Sequence, residues 1–220
     1  MTLNTNFYID GFNLYYLAVK NTPFKWLDIA KLCATLRPKA HVNRIRYFTA
    51  RVSALPHDPG ASDRQDVYLR ALRTIQNLTI HEGLFTSWPR RLPIFPLIYP
   101  DPTRPPELVK VLRTEEKGSD VNLATYLLID CFDNDFDEAV VISNDSDLLL
   151  PIEMVTNKLG KIVVVINPNS DRHRARIVNR DLKRASSLYI RMINKKMLAN
   201  CQFSDTLADS QGTFHKPSTW

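Results

Sequence analysis

Short apolar runs alternate with amphipathic stretches along most of this chain. The runs are rich in β-branched and aromatic residues, which is typical of buried strands, and they lie at 6–9, 44–49, 78–84, 139–143 and 161–166. Between them, the segment 63–76 repeats Val67, Ala71 and Ile75 every four residues, as one face of a helix would. The alternation predicts an α/β fold, a three-layer α/β/α Rossmann-like domain with a mainly parallel central sheet.

Polar residues next to the periodic segments indicate where helices begin. Ser119 is expected to cap a helix over 120–132, and Asp147 a helix over 148–157. A last helix is predicted over 181–198. The segment 88–106 holds seven prolines and is expected to be a loop or flap. We therefore predict a single domain over 1–198 with a proline-rich loop insertion at about 88–106, followed by a C-terminal tail over 199–220.

Composition narrows the class of protein. The hydrophobic fraction of 44% and charged fraction of 24% are ordinary for globular proteins. No apolar stretch reaches the length of a membrane span and the first residues lack the pattern of a signal peptide, so no membrane association and a cytoplasmic location are expected. The three cysteines, far apart in the chain, predict reduced thiols rather than disulfides.

Charge is distributed unevenly. The chain carries +6 overall, yet 118–157 contains nine acidic residues and no Lys or Arg. A basic body suits a polyanionic partner, whereas an acidic cluster repels that partner unless cations neutralise it.

Acidic residues follow two of the predicted strands. Asp10 comes directly after the first strand, Asp145 and Asp147 follow the fourth, and Asp120 begins a predicted helix. Ligands of open parallel sheets bind outside the carboxyl ends of the strands, so neighbouring first and fourth strands would gather these carboxylates. Crowded carboxylates favour Mg²⁺ or Mn²⁺, ions that support phosphoryl chemistry by activating water. Each aspartate taken alone is also a common turn former or helix cap.

Three motifs, in order along the chain, together resemble the NYN domain family. They are Asp10-Gly-Phe-Asn13-Leu-Tyr, Glu116-Lys-Gly-Ser-Asp120-Val-Asn-Leu-Ala and Ile142-Ser-Asn-Asp145-Ser-Asp147-Leu. This family belongs to the PIN-like nuclease superfamily and includes LabA-type (DUF88-type) bacterial proteins. The resemblance covers about 6–166, and the ending 202–220 is similar to the tail of a bacterial subgroup.

The resemblance implies a metal-dependent ribonuclease that hydrolyses RNA phosphodiester bonds, with Mg²⁺ or Mn²⁺ as cofactor. It assigns the metal and the catalysis to Asp10, Asp120, Asp145 and Asp147. Supporting roles are expected for Asn13, Ser143, Glu116 and Lys117. Two positions depart from the family: many relatives have Gly in place of Asn144 and a further Asp in place of Tyr126, so one family carboxylate is expected to be missing.

A basic cluster after the last predicted strand is a candidate for RNA contacts. It comprises Arg172, Arg174, Arg176, Arg180, Lys183 and Arg184, with His173 among them. Trp88, Arg90 and Arg91 could add stacking and charge, although a run of charge is more often a solvated surface. Single-stranded RNA or a structured loop is the expected partner, and a homodimer is a mild preference.

Two alternatives remain open. A non-catalytic RNA-binding module of the same fold would explain Tyr126. An oxidoreductase that hydroxylates a pyridine compound is the other, but none of the six glycines forms a Gly-x-Gly-x-x-Gly turn after a strand. A haloacid-dehalogenase-type phosphatase is disfavoured because Phe12 stands where that class has its second aspartate.

Overall fold

The apolar runs form strands of one seven-stranded sheet, in a computed structural model that describes residues 2–54, 56, 58–99, 103, 105–171 and 178–220. The strands of this sheet are β1 (Asn4–Asp10), β2 (His41–Ala50), β3 (Leu78–Pro93), β4 (Leu108–Lys117), β5 (Glu138–Ile142), β6 (Ile162–Ile166) and β7 (Leu188–Ile190). The helices are α1 (Gly11–Leu14), α2 (Ile29–Leu36), α3 (Ala61–Leu72), α4 (Ser119–Phe132), α5 (Leu149–Glu153), α6 (Arg180–Ala185) and α7 (Lys195–Asn200). A π-helical turn extends α1 over Tyr15–Val19 and another extends α5 over Met154–Lys158.

The order of strands is β4-β3-β2-β1-β5-β6-β7, and all neighbours are parallel except the antiparallel pair β3 and β4. β1 therefore lies between β2 and β5, as a converging acidic site requires. From β1 the chain first adds strands on one side and later, from β5 onward, on the other. The carboxyl ends of β1 and β5 flank this change of direction, where open α/β sheets usually bind their ligands.

Alternation along the strands produces two apolar layers. Phe7 and Ile9 of β1 pack with α2 and α3 on one face of the sheet. Tyr8 packs on the other face, with Leu123 and Leu127 of α4. The three-layer α/β/α fold is thereby confirmed, and alternate residues within each strand face opposite layers.

The proline-rich segment differs from its prediction. β3 continues through Pro93, so 88–93 belong to a strand and the connection starts only after it. Strand β4 was not predicted at all, yet it pairs with β3 from Lys117 back to Leu108. Proline is tolerated because each strand of a two-stranded ribbon has one edge without a partner, where a missing N–H breaks no hydrogen bond.

The predicted helix over 181–198 is wrong. The chain instead forms α6, then β7, which pairs with β6, and then α7. Asn179 caps α6 by accepting a hydrogen bond from the Leu182 amide, and Asn194 caps α7 in the same way through Met197. Two separate caps within one predicted helix explain the break.

The predicted tail is also folded. It ends in a hairpin of β8 (Thr206–Asp209) and β9 (Gly212–His215). Phe203 and Phe214 are buried, and Trp26 packs against Phe203 and Trp220. Residues after 199 thus complete the apolar layer that contains α2 and α3.

Within the described residues, no helix has the length and apolar character needed to cross a membrane.

Candidate active site

Asp10 is the last residue of β1 and is buried, with 3% of its surface exposed. By alternation its side chain shares the α4 face of the sheet with Tyr8, and Ser143, directly after β5, shares the face of Val141. The Ser143 hydroxyl donates to Asp10 Oδ2 at 2.9 Å. Two neighbouring strands are therefore joined by their polar ends, as the sequence predicted.

Asn13 holds the other side of the Asp10 carboxylate. Its backbone amide donates to Asp10 Oδ1 at 2.9 Å and its side-chain amide to Oδ2 at 2.7 Å. The Asn13 side-chain oxygen in turn accepts a hydrogen bond from the Asn144 amide at 3.2 Å. Asn13 and Ser143 thus orient Asp10 and tie α1 to the segment after β5.

Asp145, rather than the predicted Asp147, caps the turn that follows β5. The Asp145 side chain caps the 3₁₀ turn Ser146–Leu148 by accepting from the Asp147 amide at 2.9 Å. The expectation that Asp147 is the cap is wrong, because Asp147 lies within the first turn of this 3₁₀ helix and is exposed. The Asp145 amide donates to the Ser143 hydroxyl at 3.1 Å, which connects this segment to Asp10.

Asp120 reaches the site from the first turn of α4. Gly118, rather than Ser119, is the N-cap, and its φ of 101° lies in the left-handed region that suits glycine. Glu116 accepts hydrogen bonds from the Ser119 amide at 3.1 Å and the Ser119 hydroxyl at 2.8 Å. Glu116 therefore acts as a helix-capping group beside Asp120.

The carboxylates influence one another. Burial, followed by the charges of Asp10 and Asp145, raises the pKa of Asp120 to about 6. Burial also raises the pKa of Asp10, and Asp145 adds to this, while hydrogen bonds from Asn13 and Ser143 oppose it. Like charges gathered in a partly buried place favour either a proton or a bound cation.

A divalent cation such as Mg²⁺ or Mn²⁺ needs several oxygen ligands close together. Among the described residues, no three His, Cys, Asp or Glu side chains lie close enough together to coordinate one ion. The donor atoms nevertheless suit a hard cation, because they are carboxylate oxygens from three chain segments. Two of these carboxyl groups, Asp10 and Asp120, have raised pKa values. Asp145 would have to turn from the Asp147 amide to join such a site.

The remaining predicted residues lie at different distances from this centre. Lys117 has its amino group 5.4 Å from the ring centre of Trp88, on the opposite face of its strand from Glu116. Arg180, Lys183 and Arg184 are exposed on α6, which contacts the 3₁₀ turn that carries Asp147. Arg172, Arg174 and Arg176, with His173, lie outside the described residues.

Tyr126 belongs to a packed network on the α4 side of the sheet. Its ring lies 4.3 Å from the Arg46 guanidinium and 4.1 Å from the His81 ring. Arg46 also forms two hydrogen bonds of 2.7 Å to buried Asp130. Tyr126 thus packs against Arg46 and His81 and has a structural role in this chain.

Two contacts near the site were not predicted from the sequence. Tyr189 of β7 donates to the Asn144 side chain at 3.1 Å, and Phe85 of β3 packs edge-on against Phe12 at 5.4 Å between ring centres. Both depend on strands that come together only in the fold. The alternation of Val109 and Val111 within 108–117 is the one sequence signal that could have indicated β4.

The protein is thus an α/β domain with aspartates at the carboxyl ends of neighbouring strands. Proteins of this class bind their ligands at that edge of the sheet. Residues 4–192 match the NYN domain, and the chain belongs to this family of PIN-like nucleases.

The chain is also similar to one protein with an enzyme name and to one protein of known structure. It is 29% identical to the protein named 6-hydroxy-3-succinoylpyridine 3-monooxygenase from Pseudomonas putida, over 99% of this chain and 75% of that protein. A crystal structure of a protein of unknown function from Vibrio parahaemolyticus superposes with a TM-score of 0.55 and 15% identity, covering 88% of this chain and 94% of the other. The latter likeness concerns the fold alone.

Proposed function

We propose that this protein is a metal-dependent ribonuclease whose active site contains Asp10, Asp120, Asp145 and Asp147. The observation that carries the proposal is the hydrogen-bonded connection of Asp10, Ser143 and Asp145 at the ends of β1 and β5. Asp120 lies beside them, and burial, followed by the charges of Asp10 and Asp145, raises its pKa to about 6. Three chain segments that are far apart in sequence therefore direct negative charge to one edge of the sheet. The family supports hydrolysis of nucleic acid at that edge.

In this proposal the four aspartates would hold Mg²⁺ or Mn²⁺ after moving closer together, since no three of the described acidic side chains could coordinate one ion as they stand. A divalent cation there supplies activation of water and neutralises charge that develops on the phosphate oxygens. Asn13 and Ser143 position Asp10, because both donate to its carboxylate. Glu116 fixes the first turn of α4 and with it the backbone of Asp120. Exposed Arg180, Lys183 and Arg184 on α6 favour the approach of a polyanion.

The test is cleavage of a labelled single-stranded RNA with Mg²⁺ or Mn²⁺ by the wild type, Asp120→Asn and Asp145→Asn. We expect each variant to lose at least about 100-fold in rate, the scale of a removed electrostatic contribution to catalysis. Asp63→Asn is the matched control, because Asp63 is an exposed carboxylate in the first turn of α3 and its loss should leave the rate unchanged. Equal activity of all four proteins would contradict the proposal, and RNA binding without cleavage would favour the non-catalytic alternative.

The similarity to a protein named a monooxygenase, over nearly the whole chain, supports a second candidate: hydroxylation of a pyridine compound. Doubly wound sheets often bind nucleotides at the edge where Asp10 and Ser143 lie. This reaction would consume O₂ and two electrons from a reduced nicotinamide or flavin, with one oxygen atom added to the substrate and the other released as water. Flavin absorbance in the purified protein, or NADH oxidation that depends on 6-hydroxy-3-succinoylpyridine, would support this candidate. Neither is expected of the nuclease.

A further inference from the structure

The pair β3 and β4 extends past the rest of the sheet. β3 pairs with β2 only as far as Gly83, and from Leu84 to Pro93 its partner is β4 alone. At about 3.3 Å per residue, these ten residues reach roughly 33 Å beyond the last β2 contact. We call this projecting part, residues 84–93 with 108–117, the hairpin arm.

The register of the hairpin arm assigns its side chains to two faces, since directly opposed residues share a face. We call one the site face, and it carries the pairs Phe85 with Glu116, Ser87 with Thr114, Pro89 with Leu112, and Arg91 with Lys110. The outer face carries Trp88 with Arg113 and Arg90 with Val111. The cations that look adjacent in the sequence, Arg90 and Arg91, therefore point in opposite directions.

The site face joins the acidic site at its base. Phe85 contacts Phe12, which lies two residues after Asp10 and also stacks on Tyr16 at 6.4 Å between ring centres. Glu116, opposite Phe85, hydrogen-bonds to Ser119, the residue before Asp120. The rings of Phe12 and Phe85 thus connect the segment that follows Asp10 to the hairpin arm.

Farther out, the site face becomes cationic. Arg91 and Lys110 are exposed and directly opposed, and neither forms an ion pair with another described residue. Opposed like charges on a sheet disfavour folding, so their presence there suits an anionic ligand. Arg91 lies six positions after Phe85, a span of about 20 Å along the strand. Between them, the Ser87 and Thr114 hydroxyls hydrogen-bond to each other at 2.8 Å.

We infer that the site face of the hairpin arm binds the single-stranded part of an RNA that extends away from the bond being cleaved. Bases next to that bond stack on Phe12 and Phe85, and a phosphate farther along the strand lies between Arg91 and Lys110. Stacking on aromatic side chains combined with cations along the backbone is the usual way to bind single strands without sequence preference. The inference rests on the proposed nuclease function, because it takes the acidic site as the point from which the RNA extends.

Binding without catalysis separates the two proposals. Fluorescence anisotropy with a labelled oligouridylate of about 12 nucleotides, within the range of single-strand sites, is measured in EDTA for three proteins. These are the wild type, Arg91→Ala/Lys110→Ala, and the control Arg90→Ala/Arg113→Ala. Both double variants remove two positive charges from the same hairpin, but from opposite faces.

We expect the site-face variant to bind about tenfold more weakly and the control to stay within about twofold of the wild type, since only Arg91 and Lys110 lie on the proposed path. The slope of log affinity against log salt should fall by about 0.7 in the site-face variant, the value for one lost phosphate contact with a single strand. A dinucleotide competitor should bind all three proteins equally, because it cannot reach the cations.

Each outcome bears on the inference. Equal weakening of both double variants would overturn it, because charge alone would then explain binding. Competition by duplex RNA as strong as by the single strand would overturn the assignment to single strands. If the nuclease proposal alone is wrong, no RNA is cleaved although the difference between the double variants remains; if the arm inference alone is wrong, cleavage persists without that difference.

Discussion

The carboxylate of Asp120 is half-buried in the first turn of α4, with Asp10 and Asp145 nearby. Its pKa of about 6 means that the folded chain binds a proton there more tightly than the unfolded chain does. The ionised form is therefore unfavourable in the folded protein without metal. The free-energy cost of ionising Asp120 in the folded protein is absent below about pH 4, the ordinary pKa of an aspartate, and complete above about pH 6.

Asp120→Asn should accordingly stabilise the metal-free protein at pH 7.5. We expect a gain of about 1 kcal/mol, because solvent screening reduces the effect for a half-exposed group. The gain should shrink as the pH falls from 6 to 4, where wild-type Asp120 takes up its proton. Urea unfolding in EDTA at several pH values measures it.

Addition of Mg²⁺ should reverse the order, raising the melting temperature of the wild type more than that of Asp120→Asn, since binding to the folded state stabilises it. Asp63→Asn serves again as the control and should follow the wild type. A pH-independent gain in Asp120→Asn would mean that Asp120 carries no electrostatic strain.

At the scale of single residues, the sequence predicts which aspartates follow strands at one edge of the sheet, and β1 and β5 are neighbours there. Asp10 follows an apolar strand directly, and alternation alone predicts which face its side chain occupies. Asp147 is not the cap that the sequence predicts, because a 3₁₀ turn starts at Ser146, two residues before the predicted helix over 148–157, and Asp145 caps that turn. Such boundaries depend on local hydrogen bonds that a polar run such as Ser143-Asn144-Asp145-Ser146-Asp147 leaves undetermined.

At the scale of elements, Gly83 is where the hairpin arm meets α4. A Cβ added to Gly83 would lie 2.6 Å from the Lys117 carbonyl oxygen and would also collide with the Glu116 carboxylate. The backbone contact cannot be relieved by turning a side chain. Gly83 therefore allows β3, β4 and the start of α4 to approach one another.

Gly83→Ala should destabilise the protein by about 1 to 3 kcal/mol, the usual effect of overpacking. It should also lower cleavage, because Glu116 would lose its hydrogen bonds to Ser119 beside Asp120. Gly60→Ala is the control, since the atom nearest to its added Cβ is the flexible end of Arg64. Urea unfolding and RNA cleavage are measured for both, and an unchanged Gly83→Ala protein would show that this junction adapts without strain.

The sequence predicts some strands and misses others, and the difference depends on how deeply each strand is buried. Fully buried strands such as β5 and β6 were found because burial on both faces leaves an uninterrupted apolar run. The hairpin arm was missed because its residues are largely exposed and interrupted by prolines. Its pairing depends on how β3 and β4 align across the segment that connects them, and no local sequence pattern specifies that alignment.

At the scale of the whole molecule, residues beyond the family match at 192 reach the acidic site through aromatic contacts. Trp220 packs against Tyr68 at 5.8 Å between ring centres, and Tyr68 against Tyr47 at 6.4 Å. Burial raises the pKa of Tyr47, and the charge of nearby Asp10 adds to this. The terminal segment thus supports the layer behind β1 and Asp10.

Trp220→Ala should therefore destabilise the protein by about 2 kcal/mol, less than a fully buried tryptophan because Trp220 is partly exposed. Removal of 203–220 should have a larger effect, since it also takes Phe203 and Phe214 from the core. Gln211→Ala, in the exposed turn between β8 and β9, is the control and should unfold like the wild type. Urea unfolding measures all three.

If this segment also supports the active site, Trp220→Ala should reduce RNA cleavage under conditions where the variant is still fully folded, whereas Gln211→Ala should not. A truncated chain with wild-type stability and cleavage would make the segment an independent appendage. The buried contacts of Trp26 with both Phe203 and Trp220 argue against that outcome, because truncation would expose the largest fully buried side chain of the core to water.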